Sequence, residues 1–215
     1  MRYAKFPLVL LVALVLAGCT LFPEREPVER AWYLLELPPE PAPRVAGAPL
    51  AVELASVRVA PAYAGSGLVY RLGDHRYESD YYHEWFLPPA RHLEQLLRER
   101  WGRPGSAIEL VDNAEAERAR GRPALRLDVL VTALYGDLDE AQPAHAVTVR
   151  GTGHFALRSR VEGAAAPRLI ELDAEQAIER RSASRLVAAL SAAAAQVLVE
   201  LEDELLRAAA DAEDA

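Results

Sequence analysis

The sequence predicts an α+β fold: a single domain with a mixed or antiparallel sheet and about two helices packed on one face. Three observations lead there. Residues 124–134 and 145–160 alternate apolar and polar side chains with the period of half-buried strands. Residues 184–207 carry an unbroken apolar stripe at helical spacing. A proline pair at 88 and 89 opens a second, shorter stretch of helical periodicity that Gly102 closes.

The N-terminus has a different character. Arg2 and Lys5 precede an apolar run from Phe6 to Ala17 that ends in Leu16-Ala17-Gly18-Cys19. A membrane-spanning helix needs roughly 20 apolar residues, and this run is shorter. A charged start, a short apolar centre and small residues before the cut describe an export signal over residues 1–18. Cys19 is the only cysteine, and its place after Leu-Ala-Gly resembles a bacterial lipobox. That likeness implies cleavage before Cys19, a diacylglyceryl group on its thiol and an acyl chain, typically palmitate, on its amine. The competing reading is an export signal that ends in a cysteine by chance. Each buried methylene contributes about 0.8 kcal/mol, so two or more chains anchor stably where one does not. Thr20 follows the cysteine where an aspartate would retain a lipoprotein at the inner membrane, which points to the outer membrane, periplasmic face.

The chain has 24 basic against 32 acidic residues, a net charge of −8, and removing residues 1–18 makes it more acidic. That balance argues against nucleic acid or an anionic lipid surface as an electrostatic partner. With its lone thiol spent on the anchor, the domain depends on an apolar core, for which its length is ample.

Residues 19–30 read as the lipidated N-terminus and tether, and residues 31–37, AWYLLEL, as a first strand. The proline-rich segment 38–49 is a long loop. Residues 50–60 alternate in two phases, Val52/Leu54 and then Val57/Val59, which predicts a strand with a bulge between them. Leu93, Leu96, Leu97 and Trp101 form the apolar side of the helix after Pro88-Pro89. A short strand over 106–112, a charged turn region, the strand 124–134, a hairpin connection over 135–144, the strand 145–160 and a weaker strand 168–178 follow. The helix from about Ser184 to Arg207 then lies across the sheet or, alternatively, forms an oligomer contact. The domain runs over 31–207, and 208–215 is an acidic tail.

Residues 68–90, LVYRLGDHRYESDYYHEWFLPPA, concentrate aromatic side chains in a chain that is 7% aromatic. His83-Glu84 begins a His-Glu-x-x-His metalloprotease pattern, but Leu87 stands where the second histidine belongs, and the following prolines disfavour the helix that the motif needs. His75, His83 and His92 with Asp74 and Glu84 have no standard ligand spacing. No nucleophile elbow or phosphate loop is present, and the glycines at 151 and 153 sit in a strand pattern, where they mark a bulge more readily than a phosphate cradle. The reading is therefore no catalytic residue, no metal, no cofactor and no enzyme, with an unrecognised carboxylate pair as the remaining catalytic alternative. Tyr70, Arg71, Tyr77, Tyr81, Tyr82 and Trp85 either cap one end of the core from a polar loop or form a docking surface for a partner protein.

The segment from Val57 to Trp101 resembles the ABC-type transport auxiliary lipoprotein family (PqiC/YmbA-like). The likeness rests on Val57–Ala60, on Pro61 with Tyr63, on Val69-Tyr70-Arg71, and on Trp85 and Pro88 ahead of the Leu93/Leu96/Leu97 helix. Trp32-Tyr33 near the start is similar to the family's aromatic N-terminal strand, and the whole likeness covers residues 31–206. Phe86-Leu87 and the acidic tail depart from the family pattern. The resemblance implies a non-catalytic lipoprotein of an intermembrane lipid transport system. Its partners would be a periplasmic MCE-domain protein and, through it, an inner-membrane permease and ATPase. A homo-oligomeric ring would collar the assembly at the outer membrane. The rival is an envelope assembly or cell-wall accessory lipoprotein with no part in lipid transport.

Overall fold

The organising element is one long strand. β6, Ala124–Leu138, buries Leu125, Leu127, Val129 and Val131 on one face by simple alternation. An irregularity between Val131 and Ala133 shifts the phase. Leu134 and Leu138 then continue on the core side, and Tyr135 and Asp137 turn to the other. The computed structural model describes residues 29–38, 48–138, 151–164, 166–178 and 182–213. The signal segment, Cys19, most of the tether and proline-rich loop, and residues 145–150 of the predicted strand lie outside the described residues.

Around β6 an eight-stranded mixed sheet is assembled. On one edge β7 (Gly151–Glu162) pairs antiparallel with β6, and β8 (Arg168–Ile178) pairs antiparallel with β7. The other edge of β6 is shared. β2 (Leu50–Val59) runs parallel to its first half, and β3 (Gly67–Arg71) pairs parallel at Gly136 and Asp137. Beyond β2 lies β5 (Ile108–Leu110), parallel to it. Beyond β3 lies β4 (Tyr77–Trp85), antiparallel, and then β1 (Ala31–Tyr33), parallel to β4.

The bulge expected in β2 is present: the register against β6 slips between Leu54 and Ser56. β8 occupies the expected residues, and α1 (Pro89–Trp101) starts at the proline pair and ends where the Gly102 amide bonds the Arg98 carbonyl at 2.9 Å. Several expectations are corrected. The first strand is only three residues long, because Leu34–Leu37 leave the ladder to run beside a helix. The polar loop expected around residues 77–85 is the strand β4. β6 continues through residues assigned to the hairpin connection.

The turn region after β5 contains a helix, α2 (Ala114–Ala119), whose amide at Ala116 is capped by the Asn113 side chain at 2.8 Å. Ala51, Ala114 and Ala124 form a small apolar cluster apart from the main core. Ala51 and Ala124 alternate with the core-facing Val52 and Leu125, so α2 covers the face opposite the two larger helices.

The last helix, α3 (Ala183–Glu213), also passes the expected end at Arg207 and takes in most of the acidic segment. By length and hydropathy it would pass for a membrane span. Its apolar side is instead buried on β6, β7 and β8: Leu186, Leu190, Val197, Leu198, Leu201 and Leu205 are 0–1% exposed. Close seating requires Gly153. A Cβ there would stand 2.8 Å from the Ala189 Cβ and 3.1 Å from the Leu190 amide nitrogen. Gly136, its register partner on β6, leaves room for Leu186 in the same way. The strand glycine at 153 therefore marks the approach of a helix rather than a bulge.

α1 and α3 cover the same face and are joined by a buried ion pair. Arg100 Nε and Nη2 donate to the two carboxylate oxygens of Glu202 at 2.6 and 3.0 Å, and Trp101 Nε1 donates to Glu202 Oε1 at 2.7 Å. Desolvation makes such a pair neutral to build and costly to break by halves. Glu202→Ala is expected to lower stability by about 3–5 kcal/mol in denaturant melts, because Arg100 then stays buried without its counter-ion. Ser159, on the core face of β7, is fully buried with an unpartnered hydroxyl. Ser159→Ala is expected to stabilise by about 1 kcal/mol in the same assay.

Candidate functional site

The hairpin β3–β4 carries most of the aromatic side chains singled out in the sequence, and the structure divides them. Tyr70 and Trp85 belong to the core, 8% and 5% exposed. Tyr77, Tyr81 and Tyr82 point outward, 47%, 66% and 40% exposed. Arg71 ends β3 and forms a bidentate ion pair with Asp137 of β6, its Nε donating to Asp137 Oδ1 at 2.9 Å and its Nη2 to Oδ2. The six residues are therefore three groups with different surroundings.

The first group gathers at the start of β4, where the hairpin meets β6. Tyr135 is its centre. Tyr63, from a single 3-10 turn after β2, stacks on the Tyr135 ring with centroids 5.6 Å apart, and Tyr77 meets it edge-on at 5.7 Å. The Arg71 guanidinium lies 5.3 Å from the Tyr135 centroid. The Tyr135 hydroxyl and His154 Nδ1 share a 3.0 Å hydrogen bond, with Glu175 Oε1 at 3.6 Å from the same nitrogen. Burial pushes the Tyr63 phenol up to about 12, helped by Tyr77 and Tyr135, and burial likewise raises Tyr135. The hydrogen bonding of the Arg71 guanidinium to the Asp137 carboxylate pushes it further up. Neutral phenols around a fixed cation give a rigid recognition surface. They provide no phenolate nucleophile near neutral pH.

The second group lies further along β4, at most about 15 Å away at strand rise. Between Gly67 and Val69 of β3 the pairing shifts and β4 bulges. Asp80 holds the bulge: its Oδ1 accepts the Tyr82 and His83 amides at 2.9 and 3.1 Å, and its Oδ2 pairs with His83 Nδ1 at 2.8 Å. Tyr81 and Tyr82 project from it with their rings edge to face, centroids 5.2 Å apart, and the Arg30 guanidinium lies 4.8 Å from the Tyr81 centroid. β1 runs alongside with Trp32 in register with Glu84 and Tyr33 with Trp85. Next to it, Trp32, Leu34, Leu37, Val187, Ala188 and Ala192 line a groove of about 650 Å³ between the N-terminal segment and α3.

The histidines considered as ligands are dispersed. His83 is committed to Asp80, His75 sits in the β3–β4 turn, and His92 is buried on α1 at 4% exposure. Among the described residues no three His, Cys, Asp or Glu side chains come together to hold a metal ion.

Sequence reasoning missed Tyr135, Asp137 and His154, which looked like hairpin or strand residues. It also missed Glu202, for which a signal existed: an acid next to Leu201 and one turn after Leu198 interrupts an apolar stripe and calls for a buried partner.

Two expectations follow. Trp85→Ala should destabilise the domain by about 3–5 kcal/mol, the cost of emptying a buried indole site, while Tyr81→Ala leaves the melting midpoint nearly unchanged. Burial pulls the His92 imidazole below the ordinary value of 6.5, against the opposing pull of the Leu35 backbone and Glu99. Folded His92 is thus neutral where the unfolded chain, titrating near 6.5, has taken up a proton. Stability falls as pH drops below about 6.5, and His92→Gln should lose less stability than wild type between about pH 7 and 5 in urea melts.

A family model described as ABC-type transport auxiliary lipoprotein component matches residues 33–202. No curated protein matches the chain. Among solved structures, protein XCC0632 from Xanthomonas campestris aligns with a TM-score of 0.64 at 14% identity, covering 86% of this chain and 100% of that one. An uncharacterised protein aligns at 0.53 with 18% identity, covering 82% and 99%. At these identities the likeness is one of fold. The family match takes in β2 to β8, α1, α2 and most of α3 with both tyrosine clusters, and its description is of a transport auxiliary lipoprotein component. On that match, the chain belongs to the family of ABC-type transport auxiliary lipoproteins.

Proposed function

We propose that this protein is the non-catalytic, membrane-anchored lipoprotein of an MCE-type ABC intermembrane lipid transport system, docking the periplasmic MCE assembly at the outer membrane. The observation that carries the proposal is the family match over residues 33–202, which names a transport auxiliary lipoprotein. Three features support the finer reading. Leu16-Ala17-Gly18-Cys19 at the end of an export-like segment supplies the acylation site, and Thr20 favours the outer membrane. The domain offers rigid aromatic surfaces, of the kind enriched in protein interfaces. Its conspicuous polar clusters are committed to structural pairs: Arg71 with Asp137, Arg100 with Glu202, His83 with Asp80.

Within this reading the anchored domain holds the far end of the MCE protein, and through it the permease and ATPase, against the membrane. Tyr77, backed by Tyr135 and Arg71, is the contact residue, and several copies form a collar. Copurification from detergent-solubilised membranes should recover an MCE-domain protein, and Tyr77→Ala should weaken its retention without shifting the melting midpoint. Recovery of cell-wall synthases with no MCE protein would favour an envelope-assembly role. Cys19→Ala should yield unprocessed or soluble chain with no incorporated palmitate; persistent labelling in that variant would refute acylation at Cys19.

A further inference from the structure

The exposed large apolar side chains of the described residues are Trp32, Leu34, Tyr77, Tyr81, Tyr82, Phe86 and Leu169. Five of them surround the point where the chain enters the fold. Alternation places Trp32 and Leu34 on the side of β1 opposite Tyr33 and the buried Leu35. The register Trp32 to Glu84 and Tyr33 to Trp85 ends with the Phe86 amide, which donates to the Tyr33 carbonyl at 2.9 Å, so Phe86 lies where the chain leaves β1 toward Leu34. Tyr81 stands beside the entering chain with Arg30 over its ring, Tyr82 packs edge to face on it, and the pair flanks Tyr33 at the same end of the domain.

We propose that this anchor-proximal surface, Trp32, Leu34, Tyr81, Tyr82 and Phe86, rests in the interfacial layer of the bilayer that holds Cys19, so that the domain is a peripheral membrane protein as well as a tethered one. The proposal rests on the acylation proposed above. Residues 20–29 reach at most about 35 Å when fully extended, so the face that surrounds Arg30 is the one held nearest the lipid. Trp and Tyr are the side chains that settle at headgroup level, their rings apolar and their polar tips hydrated. Arg30 adds a cation at phosphate height. Glu84, beside Trp32 and hydrogen-bonded by the Ser66 hydroxyl at 3.4 Å, sets the depth: a carboxylate on this face keeps it among headgroups rather than acyl chains.

The chain carries its own probe. Of its three tryptophans, Trp85 and Trp101 are 5% and 2% exposed and Trp32 is 57% exposed. Full-length protein purified from membranes is reconstituted into phosphatidylethanolamine–phosphatidylglycerol vesicles with and without brominated phospholipid, and the mass of its N-terminal peptide is read from the same sample. Bromine should quench one component of the tryptophan emission, and Trp32→Phe should abolish that quenching with an unchanged circular dichroism spectrum. An acylated sample without quenching overturns the membrane contact and leaves the lipoprotein reading standing. Quenching with an unmodified Cys19 sustains the contact and removes the lipid anchor. Protection of Trp32 from iodide that grows with protein concentration in the absence of vesicles gives the surface to a second copy and overturns the proposal.

Discussion

The fold depends on how closely α3 can lie on the sheet. A helix more than thirty residues long buries its apolar side only if the strands beneath it present a continuous floor at close range. Gly136 and Gly153, facing each other across β6 and β7, provide the low point of that floor, into which Leu186 and Ala189 settle. A larger side chain at either position would lift the N-terminal half of α3. The separation would then propagate to the far end, where Glu202 must meet Arg100 and Trp101 within hydrogen-bonding distance. The second helix is thereby fixed in place by the first. Tyr77, Tyr81 and Tyr82 hang from β4, which reaches the central strand through β3 and its short parallel pairing at Gly136 and Asp137.

Much of this was legible from residue order. The phase slip in β2, the limits of β8 and the start of α1 at Pro88-Pro89 follow from local chemistry, so periodicity and proline geometry suffice to read them. What was not legible depends on distant partners. Asn113 is a good helix cap, but the charged sequence after it shows no apolar stripe, since α2 buries only Ala114 against Ala51 and Ala124. β4 lacks alternation because a bulge held by Asp80 interrupts it. The split of the aromatic stretch into core residues and surface residues follows from pairing with β1 and β6. Neither pairing leaves a signature in the stretch itself.

The same hairpin presents two different faces to its surroundings. At one end Tyr63, Tyr77 and Tyr135 are locked by stacking and by the Arg71–Asp137 pair, a pre-ordered surface that loses little entropy when something binds it. At the other end Trp32, Leu34 and Phe86 are merely uncovered, on and beside a three-residue strand. A rigid, polar-rimmed cluster suits a defined protein contact; a looser apolar one suits a disordered medium that asks for no fixed geometry.

The parallel pairing of β1 with β4 also sets how the domain carries mechanical load. Tension arriving through the residues before Ala31 is borne first by three register pairs, while the extensive β6–β7–β8 ladders and α3 bear none of it directly. β1 is therefore the yielding link. Strain at this point would part it from β4 and free a few more residues, with the β6–β7–β8 ladders and α3 beyond it left in place.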